Sequence, residues 1–210
     1  MPTPSPSRHT RDLADEVLAM RAAEALKISH HPHLRAEFCF HSLIEELAQF
    51  GPEDRMGTLS IMDHTPGRRQ FSDIGQYASS MKGKRGLSDE TFDAQVAMRQ
   101  ALGERVREDH ERVAVEAAQR LGALLASHDD TEVDHVVRTA RHGIGLAEFP
   151  TADEAARACR QHGIAAMMGA PNLLRGGSHS GNVSAAELAK ADPLEVVSAT
   201  TCRRRSCRRR

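Results

Sequence analysis

Short apolar runs alternate with helix-like stretches along almost the whole chain. Six runs read as strands: 34–40, 58–62, 124–127, 145–150, 165–169 and 194–198. Between them apolar residues recur three and four positions apart, the spacing of one helix face. Strands separated by helices cannot be joined as hairpins. They need crossover connections, which place neighbouring strands parallel in an α/β fold.

The expected helices cover 12–26, 41–50, 88–121, 131–141, 151–161 and 184–191. Gly51-Pro52 stops the second of these. Gly103 is a candidate break or bend inside the long third one. Thr151, with Glu154 three positions on, has capping-box spacing. Two stretches resist assignment: the polar run 68–86 and the Gly/Ser/His-rich run 170–182. Irregular segments of that length are unusual unless functional or mobile.

Both ends differ from the middle. Residues 1–11 are proline-rich and expected to be a disordered extension, and 12–198 form the body. Residues 199–210 are a foreign-looking arginine tail. That tail holds six of the 28 Lys and Arg residues. Without it 22 basic residues face 29 acidic ones, so the formal charge of -1 hides an acidic body. An arginine run can bind nucleic acid, but no aromatic residue sits in the tail to stack on bases, and nucleic acid is not an expected partner. Four scattered Cys argue for a reducing compartment. No apolar run is long enough to span a bilayer, and the N-terminus has no secretory apolar core. A cytoplasmic location and no membrane partner are expected.

Chemistry in βα folds gathers where strands end. Glu37, His64 and His128 each fall at or near the carboxyl end of a different expected strand. A carboxylate and two imidazoles suit Zn²⁺ or another divalent ion. His128 is followed by Asp129 and Asp130. Arg68 and Arg69 follow a Pro-Gly turn and can hold anionic oxygens. The run 170–182 carries Asn172, Arg175, Ser178, His179 and Asn182 among four glycines if Gly169 is counted, and such a loop can cradle phosphate. His9, His110, His135, His142 and His162 read as solvated helix faces or ends.

Five segments taken together carry a family resemblance: His33-Leu34-Arg35-Ala36-Glu37; Ser60-Ile61-Met62-Asp63-His64-Thr65-Pro66-Gly67-Arg68-Arg69-Gln70-Phe71; Leu125-Ala126-Ser127-His128-Asp129-Asp130; Ala147-Glu148-Phe149-Pro150-Thr151; and Met168-Gly169-Ala170-Pro171-Asn172 with Arg175-Gly176-Gly177-Ser178-His179-Ser180-Gly181-Asn182-Val183. In this order they resemble the PhnM-type phosphonate-metabolism proteins. These are the alpha-D-ribose 1-methylphosphonate 5-triphosphate diphosphatases of the amidohydrolase superfamily.

The resemblance implies a metal-dependent hydrolase on a TIM-type (β/α)8 barrel, acting in the carbon–phosphorus lyase pathway. It implies loss of pyrophosphate from a ribose 5-triphosphate. By motif, Glu37, His64 and His128 would be metal ligands for a divalent ion, Zn²⁺ or Mn²⁺. His128 and Asp129 would be catalytic. From charge and position rather than by motif, Arg35, Arg68, Arg69, Asn172, Arg175, Ser178, His179 and Asn182 are expected to face the phosphorylated ribose. A homo-oligomer is left open.

The departures are as specific. A full barrel has eight strands, and six are visible. The family's first-strand metal pair has no counterpart in residues 1–30. Its last-strand Ser-Asp-Tyr gives way to Ser198-Ala199-Thr200 and arginines. The expectation is therefore an incomplete barrel with little or no activity, with a non-catalytic phosphate-ligand-binding or assembly remnant as the alternative.

Overall fold

The computed structural model describes residues 6–69, 75, 78, 88–177, 182–191 and 193–199. It is an α/β fold with a parallel sheet of six strands, as the alternation requires. The chain divides into two compact units, Met1–Leu125 and Ala126–Arg210.

In the first unit, β1 (His33–Glu37) pairs parallel with β2 (Thr58–Met62), in the register His33 with Thr58 through Glu37 with Met62. β1 alternates. Leu34 and Ala36 are buried, while His33 and Arg35 are exposed on the other face. β2 is buried over its last four residues. β1 is shorter than its apolar run suggests. Phe38 still donates to the Met62 carbonyl, but the chain then turns, with the Phe40 N–H closing on the Glu37 carbonyl.

Three helices belong to the same unit, the longest of them packed on β2. α1 (Pro6–Ala22) begins before Asp12 and ends before Leu26. Arg11 on its first turns forks onto both carboxylate oxygens of Asp54, at 2.6 and 2.8 Å, and lies over the Phe50 ring. α2 (Leu43–Leu47) packs on α3 (Asp89–Leu121), and the Arg120 guanidinium of α3 donates to the carbonyls of Leu47 and Phe50.

α3 starts where the sequence places it, with the Ser88 hydroxyl accepting from the Thr91 N–H. It ends at Gly122, whose φ of 63° only glycine adopts without strain. Gly103 does not break the helix. A Cβ there would come within 2.7 Å of the Thr65 hydroxyl, so the glycine makes room for the loop that follows β2.

From Ala126 onward, β3 (Leu124–His128), β4 (Leu146–Glu148), β5 (Ala165–Gly169) and β6 (Val196–Ser198) pair in sequence within the second unit, all parallel. α4 (Val133–Ala140) and α5 (Asp153–Gln161) pack together. Ala155, Ala156, Ala158 and Cys159 give α5 a small-residue face that approaches β5 closely. Ala156, Met168, Leu188 and Ala185 form a core cluster with α7 (Ala185–Ala191).

Two local expectations are corrected here. Thr151 does not cap α5. The N-cap is Ala152, and the Thr151 hydroxyl donates instead to Thr131 at 2.9 Å, which fastens the loop after β4 to the loop after β3. The run after β5 is not all loop: α6 (Ala170–Arg175) forms at once, started by Pro171 in its first turn and closed by Gly176 at φ 74°. Among the described residues, no helix is long and apolar enough to cross a membrane.

Candidate functional site

Each unit places an imidazole against a carboxylate at the carboxyl end of its strands. In the first unit, Glu37 closes β1 and His64 lies two residues past β2. The His64 Nδ1 is 2.6 Å from Glu37 Oε2, and the His64 backbone N–H donates to Glu37 Oε1 at 2.9 Å. The Cys39 thiol adds a weak third contact at 3.4 Å. Burial alone pushes the Glu37 carboxyl upward. The His64 hydrogen bond, its charge and its N–H together outweigh that and hold the group below the usual carboxylate range. Burial, then the Glu37 charge, pushes the Cys39 thiol up to about 12, so it stays a neutral S–H donor.

The β2 loop is built to hold His64 still. The Asp63 carboxylate is buried and accepts from the Thr65 N–H, an Asx turn. The Pro66 carbonyl accepts from the Gln100 side chain of α3 at 3.0 Å. Arg68 is ion-paired with Glu104 at an exposed position, so its guanidinium can be released at small cost. Arg69 is 3% exposed with a left-handed φ of 44°. Arg35 points off the exposed face of β1, its Nε donating to the Met62 sulfur.

In the second unit, His128 ends β3 with Nδ1 2.7 Å from Asp129 Oδ2, both residues buried. Asp129 has a left-handed φ of 56°, and its N–H donates to the Glu148 carbonyl. Such strain in a non-glycine residue needs surrounding structure to sustain it. Here Ser127 donates to Asp130, Thr131 donates to the Asp129 carbonyl, and the Thr151 N–H donates to the Asp130 carbonyl. Phe149, itself at φ 57°, packs edge-on to the His128 ring at 5.3 Å.

A carboxylate beside one ring nitrogen is a common way to orient a metal-binding histidine. His64 Nδ1 lies 2.6 Å from Glu37 Oε2 and His128 Nδ1 2.7 Å from Asp129 Oδ2, so the donor chemistry fits a divalent ion.

Of the expected phosphate-facing residues, Asn172 sits on α6, where its carboxamide oxygen accepts from the Ala185 N–H at the start of α7. Arg175 is exposed at the end of α6, and Asn182 is half-buried. Ser178 and His179 lie outside the described residues.

Two buried groups had no assigned role in the sequence. Glu148, 3% exposed, is in register with His128 across β3 and β4. Its position at a strand's carboxyl end was the available signal. His110 was expected on a solvated helix face. It is 3% exposed, with Nδ1 2.9 Å from the Phe38 carbonyl.

The chain is 39% identical over 175 residues to the alpha-D-ribose 1-methylphosphonate 5-triphosphate diphosphatase of Escherichia coli K12. The match covers 82% of this chain, and the chain spans 46%, about half, of that relative's length. The match bears out the resemblance read from the motifs. No protein-family model and no solved structure matches the chain.

Proposed function

We propose that the chain carries the metal-binding and phosphate-facing part of a diphosphatase that removes pyrophosphate from a ribose 5-triphosphate. The observation that carries this reading is the pair of strand-end histidines, each with Nδ1 within 2.7 Å of a carboxylate oxygen. Both lie in a chain similar to an enzyme whose name specifies that reaction.

In the first unit the proposed donor is His64, with Glu37 either as a ligand oxygen or as the carboxylate that orients it; in the second unit the proposed donors are His128 and Asp129. A divalent ion, Zn²⁺ or Mn²⁺, would supply Lewis acidity toward a phosphoryl oxygen and acidify water. Asp129 places a carboxylate oxygen 2.7 Å from His128 Nδ1. Arg68, once released from Glu104, and Arg35, Arg69 and Arg175 offer charge to the triphosphate oxygens. The Asn172 carboxamide oxygen accepts from the Ala185 N–H and so ties α6 to the start of α7; Ser178, His179 and Asn182 are proposed to face the same substrate. An incomplete (β/α)8 barrel of the amidohydrolase type, cytoplasmic and in the carbon–phosphorus lyase pathway, is the wider frame of this proposal.

Two measurements test it. Zinc titrated into the full chain should bind, and His64→Ala and His128→Ala should each weaken binding about 10-fold or more. Phosphorus NMR should then show pyrophosphate released from alpha-D-ribose 1-methylphosphonate 5-triphosphate, at a low rate for this chain alone. Zinc affinity unchanged in both variants sinks the metal assignment. Triphosphate binding that needs no metal and yields no product favours the non-catalytic remnant.

A further inference from the structure

α3 carries a buried histidine that the proposed chemistry does not use. His110 lies 72 positions from Phe38 in the chain, yet its Nδ1 is 2.9 Å from the Phe38 carbonyl. A carbonyl only accepts, so Nδ1 carries the proton. Phe38 is the residue after Glu37, at the point where β1 stops and the chain turns.

The same helix grips the other partner of the Glu37–His64 pair. Gln100 donates to the Pro66 carbonyl, Gly103 leaves space for the Thr65 hydroxyl, and Glu104 pairs with Arg68. Positions 100, 103, 104 and 110 fall on one side of a helix at its natural period. One rigid element thus holds the chain just after Glu37 and the chain just after His64. The contact between those two is short and requires both strand ends to be placed together.

We propose that His110 is a positioning residue for the Glu37–His64 pair. By fixing the Phe38 carbonyl it sets where the Glu37 carboxylate meets His64 Nδ1, and so how His64 presents Nε2. This rests on the metal reading for its purpose, but the geometry it asserts does not need a metal.

The test uses the full chain. The His64 Nδ1 proton, shared with Glu37, should give a strongly deshielded NMR signal that disappears in Glu37→Gln. In His110→Leu, which keeps volume but cannot donate, that signal should shift or vanish and zinc affinity should fall about 10-fold. In His110→Asn, whose amide can reach the same carbonyl, both should return to within about threefold of wild type. Val96→Ala, buried on α3 away from Phe38, is the control: it should lower thermal stability and leave signal and affinity unchanged. A wild-type signal and affinity in His110→Leu overturns the proposal, as does an equal loss in Val96→Ala. If His110→Leu does not fold, His110→Gln reads the same signal with the donor one bond too far, and an unmoved signal there also overturns it. A signal that follows residue 110 in a chain with no zinc affinity would retain the positioning role and reject the metal reading.

Discussion

At the scale of single residues, chemistry is set by what surrounds each group. Cys39 and Cys159 are both buried, and burial pushes both thiols up to about 12. Thiolate is the reactive form, so both should be inert in the folded protein. With Cys202 and Cys207 replaced by Ser, an Ellman assay at pH 8 should find almost no reactive thiol until denaturant is added, and then two. Fast native labelling at either site would show the burial to be wrong. Strand-end positions made Glu37, His64 and His128 legible as candidates, because βα folds put side chains of that kind there. His110 was illegible. Its partner is a backbone carbonyl 72 positions away, and no periodicity within α3 reports a neighbour at that distance. Asp129 was visible as an acid next to His128, but not its left-handed backbone, which depends on the neighbouring strand accepting its N–H.

At the scale of elements, the strands with sharp apolar edges were read to the residue: β2 at 58–62 and β5 at 165–169. Misreadings came where a local signal was outweighed by tertiary contact. Thr151 and Glu154 have the spacing of a cap, yet the Thr151 hydroxyl is used by Thr131. Gly103 has the composition of a breaker, yet close packing explains it. Replacing a mid-helix glycine by alanine normally stabilises by about 1 kcal/mol. Here Gly103→Ala should destabilise by about 1–2 kcal/mol in urea unfolding, because the methyl meets Thr65. Adding Thr65→Ala should recover most of that loss, and simple additivity of the two changes would refute the contact.

The α1 anchor gives a pH prediction. The Arg11 hydrogen bonds hold the Asp54 carboxyl below its usual value. A lowered carboxyl stabilises fully above the unfolded value, about 4, and loses that contribution as pH falls through the folded value. Wild-type stability should therefore drop more steeply below about pH 4 than that of Asp54→Asn. At neutral pH the variant should be less stable by about 2 kcal/mol, read by chemical denaturation.

At the scale of the whole molecule, the α/β class followed from alternation alone, since helices between strands leave only parallel pairing. The outer strand β6 pairs with β5, and its Val196 and Val197 are 37% and 49% exposed. Leu174 at 78% and Ile28 at 70% add further exposed apolar surface. Outer strands with apolar side chains invite association. Sedimentation should show concentration-dependent self-association, and Val197→Lys should reduce it while leaving the circular dichroism spectrum unchanged. The packing of Gly103 against Thr65 also has a historical consequence. A larger residue at position 103 costs less in a lineage that has already shortened the side chain at 65. The order in which such changes arise therefore sets which of them pass through an unstable intermediate.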